Sequence, residues 1–84
     1  MNMLKKHEYR KVTNIIRDMN KKQIKKLCDE VNLNQYEKNI LNGIKDKDKI
    51  NEACIKNYIS TSTFNNHSKI LLNKVYYFYN KKRD

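Results

Sequence analysis

Between Ser60 and Lys69 the chain reads Ser60-Thr61-Ser62-Thr63-Phe64-Asn65-Asn66-His67-Ser68-Lys69, a run built almost entirely of hydrogen-bonding side chains. The amide of Asn65 or Asn66 sets a donor beside an acceptor, a spacing that meets N6 and N7 of adenine. Thr61 and Thr63 offer a methyl group to thymine or a hydroxyl to a phosphate, and Lys69 can reach guanine or the backbone. Ser62, His67 and Lys74 complete the candidate contacts, His67 serving as a phosphate contact or as a plain surface histidine. With Ser60 as a cap, the free N–H groups at the start of the helix also favour a phosphate. The same residues equally suit a well-capped first turn that faces water. A reader made of asparagine and threonine suits A·T-rich sites.

The whole chain is consistent with an anionic partner. Its 84 residues carry 19 lysines and arginines against nine acids, a formal net charge of +10, which favours nucleic acid or an acidic membrane surface. Richness in Asn, Lys and Ile is also what an A·T-rich genome encodes, so part of this charge has a bland source. Its distribution is uneven. Residues 1–30 and 56–84 are each net +5, whereas 31–55 are neutral. Lys21, Lys22, Lys25 and Lys26 coat one helix face, either as a solvated surface or as a phosphate or protein-docking patch.

Several classes are disfavoured. With no proline and only Gly43, tight hairpins lack their usual residues, so a sandwich or barrel is not expected. Cys28 and Cys54 lack metal-site spacing and fall on apolar helical stripes, which predicts two reduced, buried thiols in a cytosolic protein; a disulfide between them is the alternative. His7 and His67 are each solitary, so no metal site or cofactor is expected. No glycine loop, paired acids or Cys–His arrangement suggests an enzyme. Met1 to Lys6 is charged but no apolar segment follows, so no signal peptide is read, and no run approaches a membrane span. The basic helices also lack the large apolar face of a peripheral membrane binder.

Periodicity predicts one all-α domain over 1–84, a compact bundle of about five helices containing a helix-turn-helix, with no internal repeat. Tyr9, Val12, Ile16 and Met19 mark a helix over about 4–18. Asn20 with Gln23, and Asn34 with Glu37, have capping-box spacing and open two further helices. These bury Ile24, Leu27, Cys28 and Val31 (ending near Asn32), and Tyr36, Ile40, Leu41 and Ile44 (ending around 43–45). Asp46 or Asp48 caps a short fourth helix with Ile50, Ala53 and Cys54. Ser60 caps a long last helix with Phe64, Ser68, Leu71, Val75 and Phe78 on one face. The pattern of Cys54, Tyr58, Ile59 and Ser60 meets the packing needs of a helix-turn-helix at about 49–75: a small residue for close approach, an apolar plug in the turn, and an oxygen at the next helix start.

Leu33-Asn34-Gln35-Tyr36-Glu37-Lys38-Asn39-Ile40-Leu41, followed by Ile59-Ser60-Thr61-Ser62-Thr63-Phe64, resembles the promoter-reading C-terminal region of bacterial sigma factors. It is closer to small sigma-region-four-like phage regulators of the ArpU type, over residues 33–75. Cys54 stands where that family usually has alanine, Tyr58 where it has the turn glycine, and Asn65-Asn66-His67 where basic residues commonly follow the aromatic. Residues 1–32 make two basic helices, and residues 1–30 match no known family. The resemblance implies major-groove binding of double-stranded DNA by the helix from Thr61 onward, and a transcriptional regulator of phage or mobile-element origin.

The competing expectation is a protein-binding module that captures a transcription component such as RNA polymerase through the tyrosine-rich last helix. Ile70, Tyr76, Tyr77 and Tyr79 make that helix apolar on more than one face. Burial against the first helix, a homodimer interface and, less naturally, stacking on single-stranded bases all account for them.

Overall fold

Four of the five helices start where a side chain accepts from N–H groups at the helix start, and the fourth in chain order instead continues from a capped 3-10 turn. The computed structural model describes residues 4–82, with side chains over 4–80; the reading of Met1 to Met3 as part of an uncleaved start falls outside the described residues. Helix α1 spans Lys6–Asp18, α2 Lys21–Val31, α3 Gln35–Lys45, α4 Ile50–Asn57 and α5 Thr61–Lys82. Asn20 accepts from Gln23 N–H at 2.8 Å while the Gln23 side chain accepts from Asn20 N–H at 2.9 Å. Asn34 and Glu37 repeat this exchange at 2.8 and 3.1 Å. Ser60 accepts from Thr63 N–H at 3.2 Å. Such caps each stabilise a helix by about 1 kcal/mol.

Two starts differ from expectation. Helix α1 begins at Lys6 against an expected start at about residue 4, after an extended Lys5, and the buried Leu4 ahead of it donates its N–H to Asn73 on α5 at 3.3 Å. The Glu8 carboxylate accepts from Lys5 N–H at 2.8 Å, and that bond, helped by the Tyr76 hydroxyl, holds its pKa below the usual carboxylate value. Asp46 caps not α4 itself but a single 3-10 turn, Lys47–Lys49, that runs straight into it.

The all-α bundle is as expected, with no strand among the described residues. Helix α3 lies at the centre and packs against α1, α4 and α5. The core draws on all five helices: Val12 and Ile16, Leu27 and Val31, Ile40 and Leu41, Ala53 and Cys54, and Phe64, Leu71, Leu72 and Val75. Both cysteines are free and buried, and burial raises the Cys28 thiol pKa. Arg17 Nε donates to Ile44 O at 3.2 Å and Lys45 Nζ to Arg17 O at 3.0 Å, so the last turns of α1 and α3 hold each other's carbonyls.

Glycine is required at one place. The ring of Phe64 lies so close to Gly43 that a β-carbon there would come within 2.6 Å of the ring. Phe64 is 3% exposed, so its ring has nowhere to retreat. Gly43→Ala gains up to about 1 kcal/mol in helix propensity. It forces an overpacking cost of about 1–3 kcal/mol. We expect a net loss of stability, read as a lower Tm and urea midpoint, and recovery when Phe64→Leu is added. A G43A variant more stable than the parent chain would show that the ring moves freely.

Candidate nucleic-acid interface

Helix α5 is about 33 Å long at 1.5 Å per residue, and its two halves differ. Leu72 and Asn73 are buried and Tyr76 half-buried, on the side that α1 covers. Asn73 fixes that contact: its carbonyl oxygen accepts from Leu4 N–H, and its amide donates to the Tyr9 hydroxyl at 3.3 Å. On the same side of the first half, no described residue covers the helix. Ser62, Asn65, Asn66 and Lys69 stand at i, i+3, i+4 and i+7, one stripe. All four, with Thr61, are exposed and make no side-chain hydrogen bond or ion pair. The opposite side is anchored by Phe64 and Ser68.

The remaining candidates are placed elsewhere. Thr63 is half-buried, and its Oγ1 accepts from the Ser60 hydroxyl at 3.1 Å, so it belongs to the cap. His67 faces α3, where Tyr36 Oη and His67 Nδ1 are hydrogen-bonded and the rings lie 5.5 Å apart. Lys74 pairs with Glu37 of α3 at 3.1 Å. Both side chains tie α5 to α3, because positions 67 and 74 lie one heptad apart on the flank that meets it. Ile70 and the tyrosines Tyr76 and Tyr79 border different hollows, and the Tyr77 ring lies edge-on to Tyr76 with 5.8 Å between centroids. Ile70 borders a hollow of about 180 Å³ with Tyr36 and His67. Tyr76 and Tyr79 line a groove of about 440 Å³ against Lys11, Val12 and Ile15 of α1.

The connection from α4 into α5 is a three-residue turn, and the chain builds it twice. At the end of α2, Asn32 takes a left-handed conformation (φ 58°, ψ 54°), Leu33 N–H bonds Cys28 O at 2.9 Å, and Asn34 opens α3. At the end of α4, Tyr58 takes the same conformation (φ 55°, ψ 46°), Ile59 N–H bonds Cys54 O at 3.0 Å, and Ser60 opens α5. Both are Schellman endings in which the residue after the left-handed one packs inward. Leu33 is buried and Ile59 half-buried, beside Cys28 and Cys54 at the position where the motif wants an apolar side chain. The absence of any repeat in the sequence holds for residue identity, not for this turn. Nor does Tyr58 depart from the glycine geometry in its backbone. It adopts what glycine would, at a cost of roughly 1–2 kcal/mol for a residue with a β-carbon.

A polar chain fixes where that turn sits. Asn57, the last residue of α4, donates to Tyr36 O at 3.1 Å and accepts from Asn39 at 2.8 Å, and Asn39 in turn accepts from Gln35 at 3.0 Å. The start of α3 thus sets the end of α4 and, through it, the start of α5. Nothing in the spacing of the sequence pairs residue 39 with residue 57, so this network carries no signal that reading the chain could find.

No protein-family model, curated protein or solved structure matches the chain. Among the described residues no three His, Cys, Asp or Glu side chains converge on a metal-sized site, and no helix is long and apolar enough to cross a membrane.

The Tyr36–His67 contact is separable from the exposed stripe. Tyr36→Phe keeps the ring and removes the hydroxyl, and the expected loss is about 1 kcal/mol, the usual net value of one hydrogen bond. Thermal unfolding measures it. An unchanged Tm would mean that water replaces the tyrosine hydroxyl without penalty.

Proposed function

We propose that this protein is a non-enzymatic, double-stranded DNA-binding regulator of transcription, with α4 and α5 acting as a helix-turn-helix and the first half of α5 entering the major groove. The observation that carries the reading is the bare stripe Ser62, Asn65, Asn66 and Lys69 on a helix anchored along its opposite side. Buried anchors at Phe64 and Ser68 stop the helix rolling, so the stripe keeps one orientation, as base readout demands. Asn65 and Asn66 supply bidentate amides for adenine, Lys69 reaches guanine or phosphate, and the net charge of +10 supplies the sequence-independent attraction. Thr61 and Ser62, at the helix start, touch the flanking phosphates. The resemblance of residues 33–75 to sigma-region-four-like phage regulators agrees with this assignment.

A second reading rests on a different surface. The groove between α1 and α5, apolar on its floor and bordered by Lys11, suits capture of a protein segment such as one from RNA polymerase. Combined substitution of Asn65, Asn66 and Lys69 by alanine removes the stripe and leaves that groove intact.

Fluorescence anisotropy of a labelled A·T-rich duplex, titrated at several salt concentrations, tests the assignment. Five to eight phosphate contacts predict that log K falls with log salt at a slope of about −4 to −7. The triple alanine variant is expected to lose specific binding, with the slope smaller by about 1 for the missing lysine. No binding at low salt by the folded protein would remove the DNA reading and leave capture of a protein.

A further inference from the structure

The two matching turns provide an internal comparison. At the left-handed position of the first stands Asn32, a residue type that tolerates this conformation because its short side chain can bond locally. At the same position of the second stands Tyr58, although the chain has thirteen asparagines and uses them as caps at Asn20, Asn32 and Asn34. Packing does not explain the tyrosine. Its side chain is 95% exposed, and no hydrogen bond or ring contact holds it. Three residues earlier Ile55 is also bare, at 74% exposure, and the two are the most exposed large apolar side chains among the described residues. An aromatic residue in a costly conformation, contributing nothing to the core, stands three residues ahead of the helix whose outer stripe is bare. Unfavourable backbone conformations kept without a packing return mark functional positions.

We propose that Tyr58 is a DNA-backbone contact: its hydroxyl donates to a phosphate oxygen beside the groove that α5 enters, and its ring packs on the adjoining deoxyribose, with Ile55 extending the apolar surface. The proposal rests on the DNA-binding reading and deepens it. The left-handed backbone turns the residue away from the protein, and the Asn57 bonds to Tyr36 and Asn39 hold its base in place. Contacts of this kind set the register of a recognition helix without reading sequence. A tyrosine does so without a charge, so it releases no counterion.

The experiment compares the intact protein with Tyr58→Gly and Tyr58→Phe, by thermal melting and by anisotropy with the same labelled duplex over a range of salt. Glycine suits the left-handed position, so Y58G is expected to melt several degrees higher while binding DNA about tenfold more weakly. The slope of log K against log salt should be unchanged, because no cation is lost. Y58F is expected to keep the parent Tm and to lose about fivefold, the loss of a single hydrogen bond. Binding by Y58G equal to that of the parent chain overturns the role of Tyr58 and leaves DNA binding standing. Loss of stability and binding together in Y58G makes the tyrosine structural and overturns it too. Absence of duplex binding by the parent chain overturns the DNA reading and this contact with it.

Discussion

The close approach of α5 to α3, with the Phe64 ring resting on the bare backbone of Gly43, is the constraint on which the molecule depends. A chain of this size has one core, and its centre is α3. Phe64 is the first buried residue of α5, four positions after the cap, so the same contact that fills the core also sets the rotation of the helix. Once Phe64 faces α3, the stripe at 62, 65, 66 and 69 faces away from it by helical geometry alone. His67 and Lys74, meeting Tyr36 and Glu37, lock that rotation from the flank.

The second constraint divides α5 along its length. Asn73 is a buried polar residue with bonds to Leu4 N–H and Tyr9, so Leu4 and α1 lie against the second half of α5. A buried amide lacking partners would cost more than it returns, and satisfied at both ends it gives the α1–α5 contact a definite register. The result is a helix that is structural at one end and uncovered at the other. A single uninterrupted helix carries both properties because its partners end partway along it.

Charge works against the fold. A net charge of +10 on 84 residues is self-repulsive, and pairs such as Lys56–Glu52, exposed on both sides, offset little of it. Stability comes from the apolar core and from helix caps, both of which are indifferent to that surface charge. The positive surface is thereby left unneutralised by the protein itself.

Local physics is legible in the residues themselves. The caps at Asn20, Asn34 and Ser60 with their partners three residues on, and the apolar stripes of all five helices, depend only on neighbours within one or two turns. The exposed positions Ser62, Asn65, Asn66 and Lys69 follow from the same periodicity. What spacing leaves open depends on how helices cross: that His67 and Lys74 turn toward α3, that Leu4 closes over Asn73, that Asn39 reaches Asn57, and that Tyr76 and Ile70 part to different surfaces. The turn repeated at 32–34 and 58–60 is hidden for another reason. A left-handed residue is recognised in sequence by glycine or asparagine, and tyrosine carries no such signal, so only the backbone of the folded chain reveals that the two turns are the same.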